Sequence, residues 1–193
     1  MVDAVDLTVR VASILEDLGI RYVVGGSIAS ILHGEPRFTQ DSDILADIPE
    51  SRVTALVAAL SGEFFIQESS VRDAVTRRGS FNALHLSSTL KIDFYLPGRN
   101  PLDAAQLSRA IDARFERYSD RTIKVTSPED IVVRKLDWYR SGRMVSDRQW
   151  RDVLGVLKVG GRKLDLAYMK ETALRVGLDE LLQRALTESG LGN

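Results

Sequence analysis

Three aspartates, Asp41, Asp43 and Asp93, stand where carboxylates could gather a metal cation. In Asp41-Ser42-Asp43 the acids are two residues apart, which on a strand puts both on one face, about 6.5–7 Å apart at Cα. Carboxylates held that way repel one another unless a cation or water intervenes. Magnesium suits the arrangement, because it takes one or two carboxylates together with substrate phosphates. Taken alone, Asp-x-Asp reads as a solvated strand edge or a turn, but the alternation around it says more. Ser42, Ile44, Ala46 and Ile48 line one face, while Asp41 and Asp43 share the other with Leu45 and Asp47. Asp47, beside Ile48-Pro49, reads as the exposed strand end and receives no catalytic role. In Lys91-Ile92-Asp93-Phe94-Tyr95-Leu96, an apolar face of Ile92, Phe94 and Leu96 leaves Asp93 pointing the other way, between Lys91 and Tyr95. The commoner setting for a lone strand aspartate is an edge, yet an acid among such good strand formers invites a functional explanation. If the two strands are neighbours, the three carboxylates converge.

Gly25-Gly26-Ser27 follows an apolar run and precedes a helical one. Glycines let backbone approach a ligand closely, and free amides at a helix start favour phosphate. By itself the tripeptide is equally a tight turn with Ser27 as its cap. Arg37 and Thr39, just before the acids, are candidates to steer a triphosphate. His33 and His85 lack partners in the sequence and read as structural.

The elements that must position these residues are legible in outline. Leu7 to Leu18 has helical apolar spacing and stops at Gly19. Tyr22-Val23-Val24 reads as a buried strand, Ser27 to Leu32 as a helix ending at Gly34, and Asp41 to Ile48 as a second strand. Ser51 to Leu60 reads as a helix with Ser51 as its cap, and Phe64 to Ile66 as a strand. A hairpin of Phe81–Leu86 and Lys91–Leu96 turns at Ser87-Ser88-Thr89. A helix near Ala104 to Ile111 comes next, then a hairpin of Arg114–Tyr118 and Thr122–Val125 with Asp120 in its turn. From Ser127 the strand signals vanish. Ser127-Pro128-Glu129-Asp130 supplies a serine cap, a first-turn proline and first-turn acids. Helices are predicted over 128–141, 147–158, 165–176 and 178–188. The layout is α/β over residues 1–126, with a helical region over 127–193.

Strand, Gly25-Gly26-Ser27, short helix, Asp41-x-Asp43 and a later strand acid, Asp93, together resemble the DNA polymerase β-like nucleotidyltransferase superfamily. The resemblance covers roughly residues 20–96. It implies a mixed sheet flanked by helices, with Asp41, Asp43 and Asp93 as metal ligands and Gly25, Gly26 and Ser27 as binders of nucleotide phosphate. The cofactor it implies is Mg2+, two ions with the NTP. The helical region adds a looser resemblance to minimal bacterial nucleotidyltransferases of the AbiEii toxin type. There a lysine after Ser-Pro-Glu-Asp and an aspartate on the next helix belong to the active site. Lys135 matches the lysine; Asp147 and Asp152 compete for the aspartate, and Asp152 is preferred. The competing reading has Lys135 snorkelling beside Val132, Leu136 and Tyr139, and Asp152 pairing with an arginine.

The expected activity is transfer of NMP from an NTP to an acceptor hydroxyl: on the 3′ end of an RNA such as tRNA, on a protein side chain, or on a small molecule such as an aminoglycoside, with the toxin resemblance leaning toward RNA. The helical region is expected to complete the active-site cleft. The toxin resemblance adds a cognate antitoxin as an expected partner. The alternative is a nucleotide-binding or antitoxin-like regulatory module without turnover, since fold alone does not establish activity.

Composition narrows the field further. The 193 residues contain no cysteine, which excludes disulfides, thiolate metal sites and cysteine nucleophiles, and only two histidines. A net charge of −1 argues against a global field for nucleic acid, although Arg134, Arg140, Arg143, Arg148 and Arg151 bias the helical region toward phosphate. With no signal-peptide pattern and no membrane-length apolar run, the expected location is cytoplasmic and no membrane partner is expected.

Overall fold

The computed structural model describes residues 3–115 and 122–192. Its first helix, α1 (Ala4–Asp17), is capped by Asp3, whose side chain accepts from the Asp6 amide at 3.0 Å. The helix buries Leu7, Val11 and Leu15 at helical spacing. Gly19, at φ 64, ends it and turns the chain into β1 (Arg21–Val24). Next come α2 (Gly26–His33) and β2 (Asp41–Asp47), then a short 3-10 turn and α3 (Val53–Leu60). The chain continues through β3 (Phe64–Phe65), α4 (Glu68–Arg77), β4 (Ser80–His85), β5 (Lys91–Tyr95), α5 (Pro101–Ser108), β6 (Ile111–Arg114) and β7 (Thr122–Val125).

These strands make one mixed seven-stranded sheet in the order β3-β4-β5-β2-β1-β7-β6. Strand β2 is central, antiparallel to β1 and parallel to β5, with Asp43 directly opposite Asp93. Period-two alternation then sorts the side chains. Ser42, Ile44, Ala46, Ile92, Phe94, Phe81 and Ala83 are buried on one face, where Phe81 and Phe94 stack at 4.7 Å. Helix α1 packs on that face, Thr8 donating to the Ser42 hydroxyl at 2.7 Å. The opposite face carries Asp41, Asp43, Lys91, Asp93 and Tyr95, and toward β1 a small cluster of Val23, Leu45, Leu107 and Ala110 that α5 covers.

The chain divides into two compact units. The first, Met1–Ile28 with Phe38–Val125, holds the sheet. The second, Ala29–Arg37 with Thr126–Asn193, contains α6 (Pro128–Ser141), α7 (Asp147–Gly160), α8 (Leu166–Arg175) and α9 (Asp179–Glu188). Its helices pack mainly as α6 on α7 and α8, with α9 against α7 and α8. Ser127 caps α6 by accepting from the Asp130 amide at 3.2 Å, and its hydroxyl donates to the Asp130 carboxylate at 2.8 Å. Tyr168 of α8 also donates to Asp130, and Glu129 accepts from the Asp165 amide at 3.1 Å, so both first-turn acids tie α6 to α8.

Several expectations are corrected. Ser51 caps nothing: residues Glu50–Arg52 form the 3-10 turn that Pro49 introduces, and Arg52 occupies the cap of α3. Helix α4 is an element that the sequence reading omits, since in this polar segment only Val71 and Ala74 are buried. Ile111 is not helical; α5 opens earlier, on an Asn100 cap, and Ile111 pairs with Val125 in the sheet. Strand β7 is the expected Thr122–Val125, but its antiparallel partner β6 is Ile111–Arg114, which shares only Arg114 with the expected Arg114–Tyr118; residues 116–121, with Tyr118 and Asp120, lie outside the described residues.

Candidate active site

Within the first unit, the glycine turn and the carboxylates are brought into direct contact. The Gly25 amide donates to the Asp43 carbonyl at 2.9 Å, extending the β1–β2 pairing into the turn. Gly26 then adopts φ 52, the left-handed region that disfavours side chains. A Cβ at Gly26 would lie 1.7 Å from Asp43 Oδ2 and 2.5 Å from its Cγ. The turn therefore needs glycine twice over, for its dihedral and because the Asp43 carboxylate occupies the space. Ser27 is buried at the first turn of α2. Thr39 stands before β2, its hydroxyl donating to the Asp41 carbonyl at 3.0 Å.

The three aspartates share one sheet face, as the alternation implied, and Asp43 and Asp93 are cross-strand partners. Charge compensation comes from Lys91, the same-face neighbour of Asp93. Its ammonium is 2.7 Å from Asp93 Oδ2 and 3.9 Å from Asp41 Oδ1. The hydrogen bond to Asp93, with the nearby charges of Asp41 and Asp43, raises the Lys91 pKa. Tyr95, two residues beyond Asp93 on the same face, has its phenol pushed up to about 12 by burial first and then by the surrounding carboxylates. The period-two rule already places Lys91, Asp93 and Tyr95 on one face; what it lacks is the register that brings β2 alongside. Asp47 is remote from this group, at the far end of β2, where it pairs with Arg78 at 2.9 Å.

As the side chains stand, no three carboxylate or imidazole groups among the described residues are gathered closely enough to hold a metal ion unaided. The donor set nevertheless fits magnesium, a cation that takes one or two carboxylates and completes its octahedron with phosphate oxygens and water. That one ammonium already sits near two of these carboxylates marks the face as a place for positive charge.

In the second unit, Lys135, Asp152 and Arg37 form a charge triad. Lys135 Nζ donates to Asp152 Oδ2 at 2.7 Å, while Arg37 donates to both carboxylate oxygens, at 2.9 and 2.8 Å. Lys135 is 2% exposed, and its ammonium lies 5.8 Å from the Trp138 ring centroid. Burial alone would raise the Asp152 pKa, but the Arg37 hydrogen bonds and the Lys135 charge outweigh it and hold the carboxyl below the usual range. Asp147, the other candidate, is exposed in the first turn of α7. Arg37, expected to steer a triphosphate, is thus engaged by Asp152. The basic bias of the helices is also partly internal: Arg134 is buried, 3.7 Å from Asp137, and Arg140 donates to the carbonyls of Val176 and Gly177 at the end of α8. Both histidines are structural. His33 bonds the Thr126 carbonyl at 2.8 Å, and His85 bonds Ser88 at 2.8 Å with its ring edge-on to Phe64.

No family model matches the chain. No curated protein matches it either. Solved structures do. One is an antigenic nucleotidyltransferase-like protein from Paracoccidioides brasiliensis, 18% identical, with a TM-score of 0.57 over 95% of this chain and 90% of that one. A second is the antibiotic-resistance factor ANT(2'')-Ia, 15% identical, with a TM-score of 0.53 over 92% of this chain and 94% of that one. A third is the lincosamide antibiotic adenylyltransferase LnuA with lincomycin bound, 15% identical, with a TM-score of 0.50 over 82% of this chain and 98% of that one. At these identities the likeness establishes the fold: the chain has a nucleotidyltransferase-like α/β fold. No helix among the described residues is long and apolar enough to cross a membrane.

Proposed function

We propose that the protein is a magnesium-dependent nucleotidyltransferase that moves NMP from an NTP to an acceptor hydroxyl. The observation that carries this reading is the contact between Gly26 and the Asp43 carboxylate, with Asp93 in register beside it. A phosphate-accepting turn and a carboxylate pair are there built against one another. Adenylyl transfer by solved proteins of the same fold adds support and makes ATP the first donor to try.

In this reading the acceptor oxygen attacks the α-phosphorus, the bond to the β-phosphate oxygen breaks, and pyrophosphate leaves. Asp41, Asp43 and Asp93 would hold magnesium; when bound, the ion lowers the cost of charge on the attacking and leaving oxygens. The Gly26 amide and the Ser27 hydroxyl hold the phosphates. Asp93 takes the acceptor proton on a carboxylate oxygen. The acceptor is an RNA 3′ end or a protein hydroxyl, and the cellular role is that of a toxin held in check by a cognate antitoxin.

Each α-labelled NTP is incubated with protein, magnesium and, in separate arms, total RNA, total protein, an aminoglycoside and a lincosamide. Label transfer to RNA or protein that Asp43→Asn abolishes supports the reading. Transfer confined to an antibiotic arm keeps the chemistry and replaces the acceptor. Transfer that survives Asp43→Asn removes the carboxylates from the mechanism. Tight nucleotide binding without pyrophosphate release points to a regulatory module.

A further inference from the structure

Lys91 and Tyr95 flank Asp93 on its own sheet face, and Lys91 engages two acids of the cluster. Lys91 is opposite Asp41 in the β2–β5 register, yet its ammonium reaches Asp93 at 2.7 Å and stays within 3.9 Å of Asp41. The strand that carries Lys91 is anchored in the core by Ile92 and Phe94, which are fully buried. The lysine side chain is not rigid: a four-carbon stem carries a compact ammonium. Its ion pair with Asp93 is partly open to water, the Lys91 side chain being 38% exposed, and pairs of that kind are weak and readily exchanged.

We propose that Lys91 is the built-in counter-cation of the carboxylate cluster, seated where a divalent cation would bind and displaced from Asp93 when one does. The inference rests on the magnesium reading above. Its logic is competition between like charges. A divalent cation held by Asp93 and Asp41 would stand within a few ångströms of an ammonium that is 2.7 Å from Asp93 Oδ2 and 3.9 Å from Asp41 Oδ1, and the two cations repel. Three carboxylates on one sheet face without a cation would repel one another, and the resident ammonium offsets that repulsion in the absence of metal. The released ammonium is then available to nearby anionic groups. A purely structural brace predicts the opposite sign: losing Lys91 would loosen Asp93 and weaken cation binding.

Mn2+ is the probe, titrated without nucleotide into full-length wild type, Lys91→Met, Lys91→Arg and Asp43→Asn, with free Mn2+ read by electron paramagnetic resonance. Removing a unit charge a few ångströms from the bound ion should tighten Mn2+ binding by about tenfold or more in Lys91→Met. Lys91→Arg should stay near wild type, and Asp43→Asn should lose the site. If Asp43→Asn weakens binding while Lys91→Met equals or falls below wild type, this proposal fails and the magnesium reading stands. If wild type and Asp43→Asn are indistinguishable, with and without ATP, both fail. A second measurement needs no variant. Acylation of Lys91, followed by mass spectrometry, should rise as Mg2+ is added to wild type; labelling that is unchanged or reduced overturns the displacement.

Discussion

Substituting Gly26 by alanine tests whether the glycine turn and the Asp43 carboxylate form one device. Gly26 sits at φ 52, where an L side chain costs about 1–2 kcal/mol. The added Cβ would also meet Asp43 Oδ2 at 1.7 Å, so reaching even the 3.0 Å limit of real contacts means a retreat of 3.0 − 1.7 = 1.3 Å. The backbone has little room to give, since the Gly25 amide is bonded to the Asp43 carbonyl and β2 lies between two strands. The carboxylate must therefore rotate away. For a group that has to meet a metal or a phosphate, a shift of about 1 Å costs on the order of a hundredfold in rate. The two effects are read separately. Urea denaturation should show a loss of about 1–2 kcal/mol, equivalent to a Tm fall of a few degrees in a chain of this size. Single-turnover NMP transfer should fall by about a hundredfold under conditions where the variant remains folded. Transfer within threefold of wild type, in a folded Gly26→Ala protein, would refute the claim that this contact positions Asp43.

Two further substitutions address the second unit. Asp152→Ala leaves Lys135, 2% exposed, without its 2.7 Å counter-charge, and should cost about 3 kcal/mol in urea unfolding. The double replacement Lys135→Met with Asp152→Leu should recover most of that loss; a single-variant cost below about 1 kcal/mol would show that the triad is not a buried ion pair. Because the folded Asp152 pKa is depressed, its contribution is present above the unfolded value of about 3.9 and is lost as pH falls through the lower folded value. The gap between wild type and Asp152→Asn should accordingly narrow below about pH 3.9. Burial lowers the His33 pKa, so the unfolded chain binds more protons and stability should drop as pH falls below about 6.5. His33→Gln should flatten that slope in unfolding curves taken between pH 7.5 and 5.5, and an unchanged slope would locate it in another group.

What was legible in the chain is what depends on local period and punctuation. Alternation through Asp41–Ile48 and Lys91–Leu96 assigns each acid to a face, and Ser127-Pro128 places the start of α6 because cap and proline act within one turn. Elements with weaker local signals were lost or misplaced. Helix α4 buries only Val71 and Ala74, and Ile111 follows a helical run yet pairs with Val125 because sheet register overrides local preference. The site shows the same division. Convergence of Asp43 with Asp93 was only conditional in the sequence, since parallel pairing between strands so far apart in the chain leaves no short-range mark. Lys91 is visible in the sequence as a same-face neighbour of Asp93 but not as the partner of particular carboxylates. Gly26 makes the point most sharply. From the sequence, a glycine there is explained by a tight turn or by room for a phosphate. In the structure its positive φ satisfies the first explanation, but the atom that forbids a side chain is the carboxylate oxygen of Asp43. A residue that looks like a conformational hinge is thus also the floor on which the central acid rests. That is why a change to this glycine should be read in catalysis as well as in stability.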